Sequence, residues 1–199
     1  MLEGIALAGT PTTDEVIEKY RKLRPSFSRR PEDFEPVVVE YIPSSDLDAA
    51  HVRALRTARY FWTDTLKIVE NLGPGNPGNQ VDLKKGVRAF FGSTVPIGAP
   101  VNTALGVVQT VVSGSPEPCA MRYGHNGMDK VNLPIPGGGN PAHYDYSCLL
   151  WERLPKGVFR LEVHPTGAQW KKASEGEKTR FRYTGNKREW GFFSAAVPG

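Results

Sequence analysis

The sequence has little cysteine and little histidine. Two cysteines, Cys119 and Cys148, stand among 199 residues; they are too few for a disulfide framework and read as partly buried thiols. Four histidines, His51, His125, His143 and His164, restrict any metal site to a small set of ligands. Long apolar runs are missing too. The chain carries no charge between Arg88 and Glu117, but Pro96 and Pro100 break that stretch, and Asn102 and Gln109 interrupt it. A spanning helix needs about 20 predominantly apolar residues, so a membrane span is not expected. Residues 101–112 read instead as a buried strand pair or a short core helix. The opening MLEGIALAGTPTTDE has no basic n-region, which gives the expectation of an intracellular protein, cytoplasmic or organellar. GPGNPGNQ at 73–80 lacks the Lys-Ser/Thr of a phosphate-binding loop, and no dinucleotide-binding glycine spacing is present. No cofactor is expected.

Glycine and proline are plentiful, at 21 and 17 residues, which implies long ordered connections rather than low complexity. Charge is unevenly placed. Residues 1–100 hold 13 Lys/Arg and 13 Asp/Glu, whereas residues 150–199 hold 10 Lys/Arg and 5 Asp/Glu. A basic C-terminal surface attracts nucleic acid, anionic lipid or an acidic protein face, or it is simply a solvated face.

Apolar periodicity suggests a short helix over 13–24, stopped by Pro25, then an arm to residue 36 and a strand in PVVVEYIP. The longest pattern runs from Ser45 to about Leu72. Leu47, His51, Ala54, Leu55, Ala58, Phe61, Trp62, Leu66, Val69 and Leu72 recur at three- and four-residue steps, as on one stripe of a helix. Arg53, Arg56, Tyr60 and Lys67 fall on its other side, either solvated or as a contact strip for phosphate or an acidic partner. Further on, GVFRLEVHPTG and KTRFRYTGNK alternate apolar with polar residues, and REWGFFSA follows, as in a β-meander. The expected fold is therefore α+β within one domain, 1–199. A helical part (1–72) built on one long amphipathic helix (about 45–72) precedes a mostly antiparallel β-rich part (81–199) with long Gly/Pro loops.

Four sets of residues could carry chemistry. His143 and Asp145, two apart, would share a face if they lay on a strand. With His164 they would make a two-histidine, one-carboxylate metal site. The string HYDY resembles the first half of the motif of 2-oxoglutarate-dependent prolyl hydroxylases over about five residues, and that resemblance implies iron at His143, Asp145 and a later histidine. The only later one, His164, alternates onto the Arg160/Glu162 face. Alternatively, Cys119 or Cys148 activated by a histidine would be a nucleophile. GHNG at 124–127 with GNPG at 75–78 is similar to short motifs of bacterial peptidyl-tRNA hydrolases, but the histidine that family carries after GNPG is absent from VDLKKGVRAFFG. Finally, Arg180, Arg182, Lys187 and Arg188 alternate with aromatics, beside Trp170 and Trp190. Such a basic aromatic sheet can stack single-stranded bases and hold phosphates, or bury its rings and show its charges to water. The leading expectation is a non-catalytic structural or assembly subunit whose partners are other protein subunits. Nucleic-acid binding by the basic C-terminal region stands second. An enzyme centred on His143/Asp145, of non-haem iron or Cys-His type, stands third.

Overall fold

A computed structural model describes residues 47–68, 79–135, 141–184 and 187–196. All lie in a compact unit within Val39–Gly199. The helix expected over 13–24, the arm to residue 36, the strand in PVVVEYIP and residues 73–78 of GPGNPGNQ, which reads over 73–80 as a glycine/proline linker, lie outside the described residues; Gln80, its last residue, already starts a strand.

The expected α+β arrangement is overturned, because the described chain is mostly β: a nine-stranded curled sheet with two short helices. The long helix is the point of failure. Helix α1 covers only Ala49–Thr57, capped by the Asp48 side chain accepting from the His51 amide. At Ala58 the backbone turns to ψ 139°, and strand β1, Tyr60–Asp64, begins two residues later. The physical reason is that YFWTD is covered on both faces. Phe61 and Thr63 face the interior, while Tyr60 and Trp62 pack under a second helix. A strand buried on both sides has no polar alternation, and its apolar residues fit helical spacing equally well.

The remaining strands are β2 (Gln80–Leu83), β3 (Ala104–Val111), β4 (Glu117–Tyr123), β5 (Asp129–Asn132), β6 (Cys148–Arg153), β7 (Val158–His164), β8 (Arg180–Arg182) and β9 (Glu189–Phe193). Their order is β2-β5-β4-β3-β7-β6-β1-β9-β8. All pairings are antiparallel except β3 with β7. Residues 104–111, expected as part of a strand pair or core helix, form the single strand β3. The C-terminal segments form strands but no continuous meander. Helix α2, Ala168–Gly176, intervenes after β7, and β8 pairs only with β9. No helix among the described residues is long and apolar enough to cross a membrane.

The sheet curls until its ends approach. Arg188, just before β9, donates from Nε to the Asp64 carbonyl (2.9 Å) and from Nη2 to the Asp82 carbonyl on β2 (3.0 Å). The enclosed space is filled by aromatic rings: Phe61, Phe90, Phe91, Trp151 and Phe159 meet at centroid separations of 5.1–6.2 Å. A buried ion pair anchors the 3-10 turn Val87–Ala89 over this core. Arg88 meets Asp129 at 2.6 Å, and the second carboxylate oxygen accepts from the amides of Gly86 and Arg88 at 3.0 and 2.8 Å. Outside, α2 covers β1, β6 and β9, with Trp170 against Trp62, Leu150 and Phe193 and the Trp62 indole donating to Ser174 Oγ (3.1 Å).

Candidate functional site

The His143–Asp145 pair sits on a 3-10 turn, Pro141–Tyr144, and the turn after it, so the two-residue spacing does not align them as a strand would. Their roles differ. Asp145 Oδ1 accepts from the Ile68 amide at 2.6 Å. His143 is exposed, with its ring 3.7 Å from that of Tyr144. Tyr144 is buried and donates to the Pro134 carbonyl (2.6 Å), while its own carbonyl accepts from Thr65 Oγ1 (2.5 Å). Ser147 closes the loop from the other side: its amide donates to Thr65 Oγ1 (2.9 Å), and its carbonyl accepts from the Thr65 amide (2.8 Å). The loop is thus fastened to residues 65–68 both before and after Tyr146.

Tyr146 itself points out. It is 68 % exposed and has φ +48°, a left-handed backbone that bulky residues seldom adopt. Beside it, Leu66 is 47 % exposed. These two side chains and Arg188 form the shared wall of two adjoining depressions of about 330 and 370 Å³. The first is completed by Lys67, Ile68, Gln80, Val81 and Asp82. The second is completed by Asp64, Thr65, Ser147, Pro165, Thr166, Lys171 and Lys187. Lys67, Lys171, Lys187 and Arg188 bring four cations to this lining, against the two carboxylates Asp64 and Asp82. Lys171 bonds Asp64 at 2.9 Å and Lys130 bonds Asp82 at 2.8 Å.

The seven basic residues singled out from the sequence therefore separate. Lys67 and the adjacent pair Lys187 and Arg188, far from it in the chain, converge on the depressions. Arg53 and Arg56 are exposed on α1. Arg180 bonds Glu189 (2.8 Å) and Glu175 (3.0 Å), and Arg182 reaches Glu189 at 3.3 Å. Burial pushes the Glu189 carboxyl up, but the hydrogen bond and charge of Arg180, with Arg182 and Lys171, outweigh it and hold the group below the ordinary glutamate range. The aromatics alternating with these cations, Phe181, Tyr183, Trp190, Phe192 and Phe193, are buried, as is Trp170. They do not offer ring faces to bases.

The other reactive candidates are dispersed. Cys119 and Cys148 are buried free thiols, and burial pushes both thiols up, away from the nucleophilic thiolate. His164, at the end of β7, accepts at Nδ1 from the amides of Thr166 (3.1 Å) and Gly167 (3.0 Å), so that nitrogen serves a turn. His125 occupies the β4–β5 turn with Nε2 3.0 Å from Asn102 Nδ2. His51 pairs with Asp48 at 2.8 Å and meets Phe181 edge-on. Among the described residues no group of three or more His, Cys, Asp or Glu is placed to hold a metal ion.

Sequence reasoning missed Tyr146, Leu66, Lys171 and Thr166. Only Tyr146 left a signal, as a large aromatic between two polar residues in a turn-rich stretch; the others meet it through tertiary folding alone. Comparison of the chain with models of known protein families gives no match, and comparison with curated proteins gives none either.

Proposed function

We propose that this chain is a non-catalytic binding subunit that contributes a fixed recognition surface, the double depression around Tyr146, to a larger assembly. The observation that carries this reading is the presentation of Tyr146: an exposed ring on a left-handed backbone, tied down on both sides by Asp145, Ser147 and Thr65. Strained, over-determined positions of this kind concentrate where a protein meets a ligand. Rigidity also lowers the ordering cost of association. The cations around the ring favour a partner bearing negative charge.

Retention on immobilised heparin, a generic polyanion, locates the surface whatever the partner is. The Lys67→Glu/Lys187→Glu double variant is expected to elute at clearly lower salt than the wild type while keeping a cooperative thermal melt, because both side chains lie on the exposed surface and not in the core. An Arg53→Glu/Arg56→Glu variant is expected to elute close to the wild type. If the α1 variant loses retention and the Lys67/Lys187 variant keeps it, the surface has been assigned to the wrong face.

A further inference from the structure

We infer that the double depression binds single-stranded nucleic acid, with one base stacked on Tyr146 and the neighbouring phosphates held by Lys67 on one side and Lys187 on the other. This rests on the reading of the depression as the recognition surface and names its ligand.

The chemistry of the lining favours this ligand over an acidic peptide. An exposed aromatic ring between cations suits a polymer that alternates flat π-faces with anionic links. A carboxylate-bearing peptide would use the cations and leave the ring idle. The two depressions have similar size, about 330 and 370 Å³, and share the Leu66–Tyr146 wall. They therefore accommodate successive units on the two sides of the ring. Their polar groups also differ. On one side Gln80 and Asp82 are already bonded, to Arg122 and to Lys130 and Asn126, and form a fixed polar floor, while the other offers the exposed Thr166 and Lys187, groups suited to phosphate. A base must leave its stack to reach Tyr146, so a duplex cannot use the ring.

Fluorescence anisotropy on the full chain tests the assignment, using a labelled mixed-sequence 12-mer as a single strand, the same sequence as a duplex, and a labelled polyglutamate peptide. The single strand is expected to bind most tightly. Tyr146→Ala is expected to weaken it about 5- to 160-fold, the loss typical of one stacked base, while Tyr146→Phe keeps the ring and retains most of the affinity. Lys187→Glu is expected to flatten the slope of log K against log salt by about 0.7, the contribution of one phosphate contact on a single strand. If duplex or polyglutamate binds as tightly and Tyr146→Ala changes nothing while Lys187→Glu still weakens binding, the ligand assignment falls and the surface stands. If neither substitution affects any of the three probes, both fall.

Discussion

Glu189 is the residue on which the basic C-terminal end is neutralised. Its carboxylate is nearly buried and takes Arg180 and Arg182 from the β8 side, so two of the charges that made this region look like a nucleic-acid surface serve the sheet edge. The depressed titration of Glu189 has a consequence for stability. Its contribution is present in full above the ordinary glutamate range and is lost as pH falls through the lower, folded-state value. Glu189→Gln lacks that titrating group. Urea midpoints measured for both proteins across acid pH are expected to differ most near neutrality and to converge as the solution becomes acid. A difference that stays constant with pH would show that the carboxylate charge is not what stabilises this edge. At the same scale, the Asp145 side chain shows how a suggestive motif can be read wrongly. The string HYDY drew attention to a metal-ligand spacing, whereas the carboxylate bonds a backbone amide and the tyrosine after it is the exposed group.

At the scale of elements, helix α2 shows how tightly the outer layer is fitted. Its start depends on Gly167, which has φ +58° and whose Cβ, if present, would run into Cys148 and the Trp170 ring. Gly167→Ala combines a left-handed cost of about 1–2 kcal/mol with overpacking of about 1–3 kcal/mol. A loss of about 2 kcal/mol or more in urea unfolding is expected. Gly176→Ala, at the far end of the same helix, meets open space and is expected to be neutral or slightly stabilising. Equal effects at the two positions would contradict this packing. The sequence made legible the strands with one face toward water and hid those covered on both faces. β7 and β8 alternate because one face meets the core and the other meets water, as Phe159 and Leu161 do against Arg160 and Glu162. β1 is sandwiched between the core and α2, so Tyr60, Phe61 and Trp62 carry no alternation to read. Helix α2 itself, AQWKKASEG, buries Trp170 and Ser174 and packs Ala173 partly against the same cluster, too sparse a stripe to stand out. For the site, Lys67, Lys187 and Arg188 were legible as basic residues. Their convergence was not, because it is created by the curl of the sheet.

For the whole molecule, the order of strands matters more than their number. β9 supplies Trp190 and Phe192 to the inner core and Phe193 to the outer one, so both layers depend on it. A chain truncated before Arg180 is expected to show no cooperative thermal transition, although more than half of the described strands remain. A sharp melt from that fragment would mean that the β1–β7 portion folds alone. The Arg188 clamp belongs to the same picture: by bonding carbonyls of Asp64 and Asp82 it ties the last hairpin to both β1 and β2, and in doing so shapes the depressions that it lines.

Strand β1 lies between β6 and β9, with Tyr60 opposite Glu152 on one side and Phe193 on the other. On the ribosome its apolar residues leave the exit tunnel well before either neighbour has been translated. Phe61 and Trp62 must then wait, unpaired, through the synthesis of β2–β5 before β6 arrives, and their β9 side stays open almost to the end. The nascent chain is therefore most prone to misassociation before translation ends, and a chaperone that holds this one strand would influence yield more than any change to the finished surface.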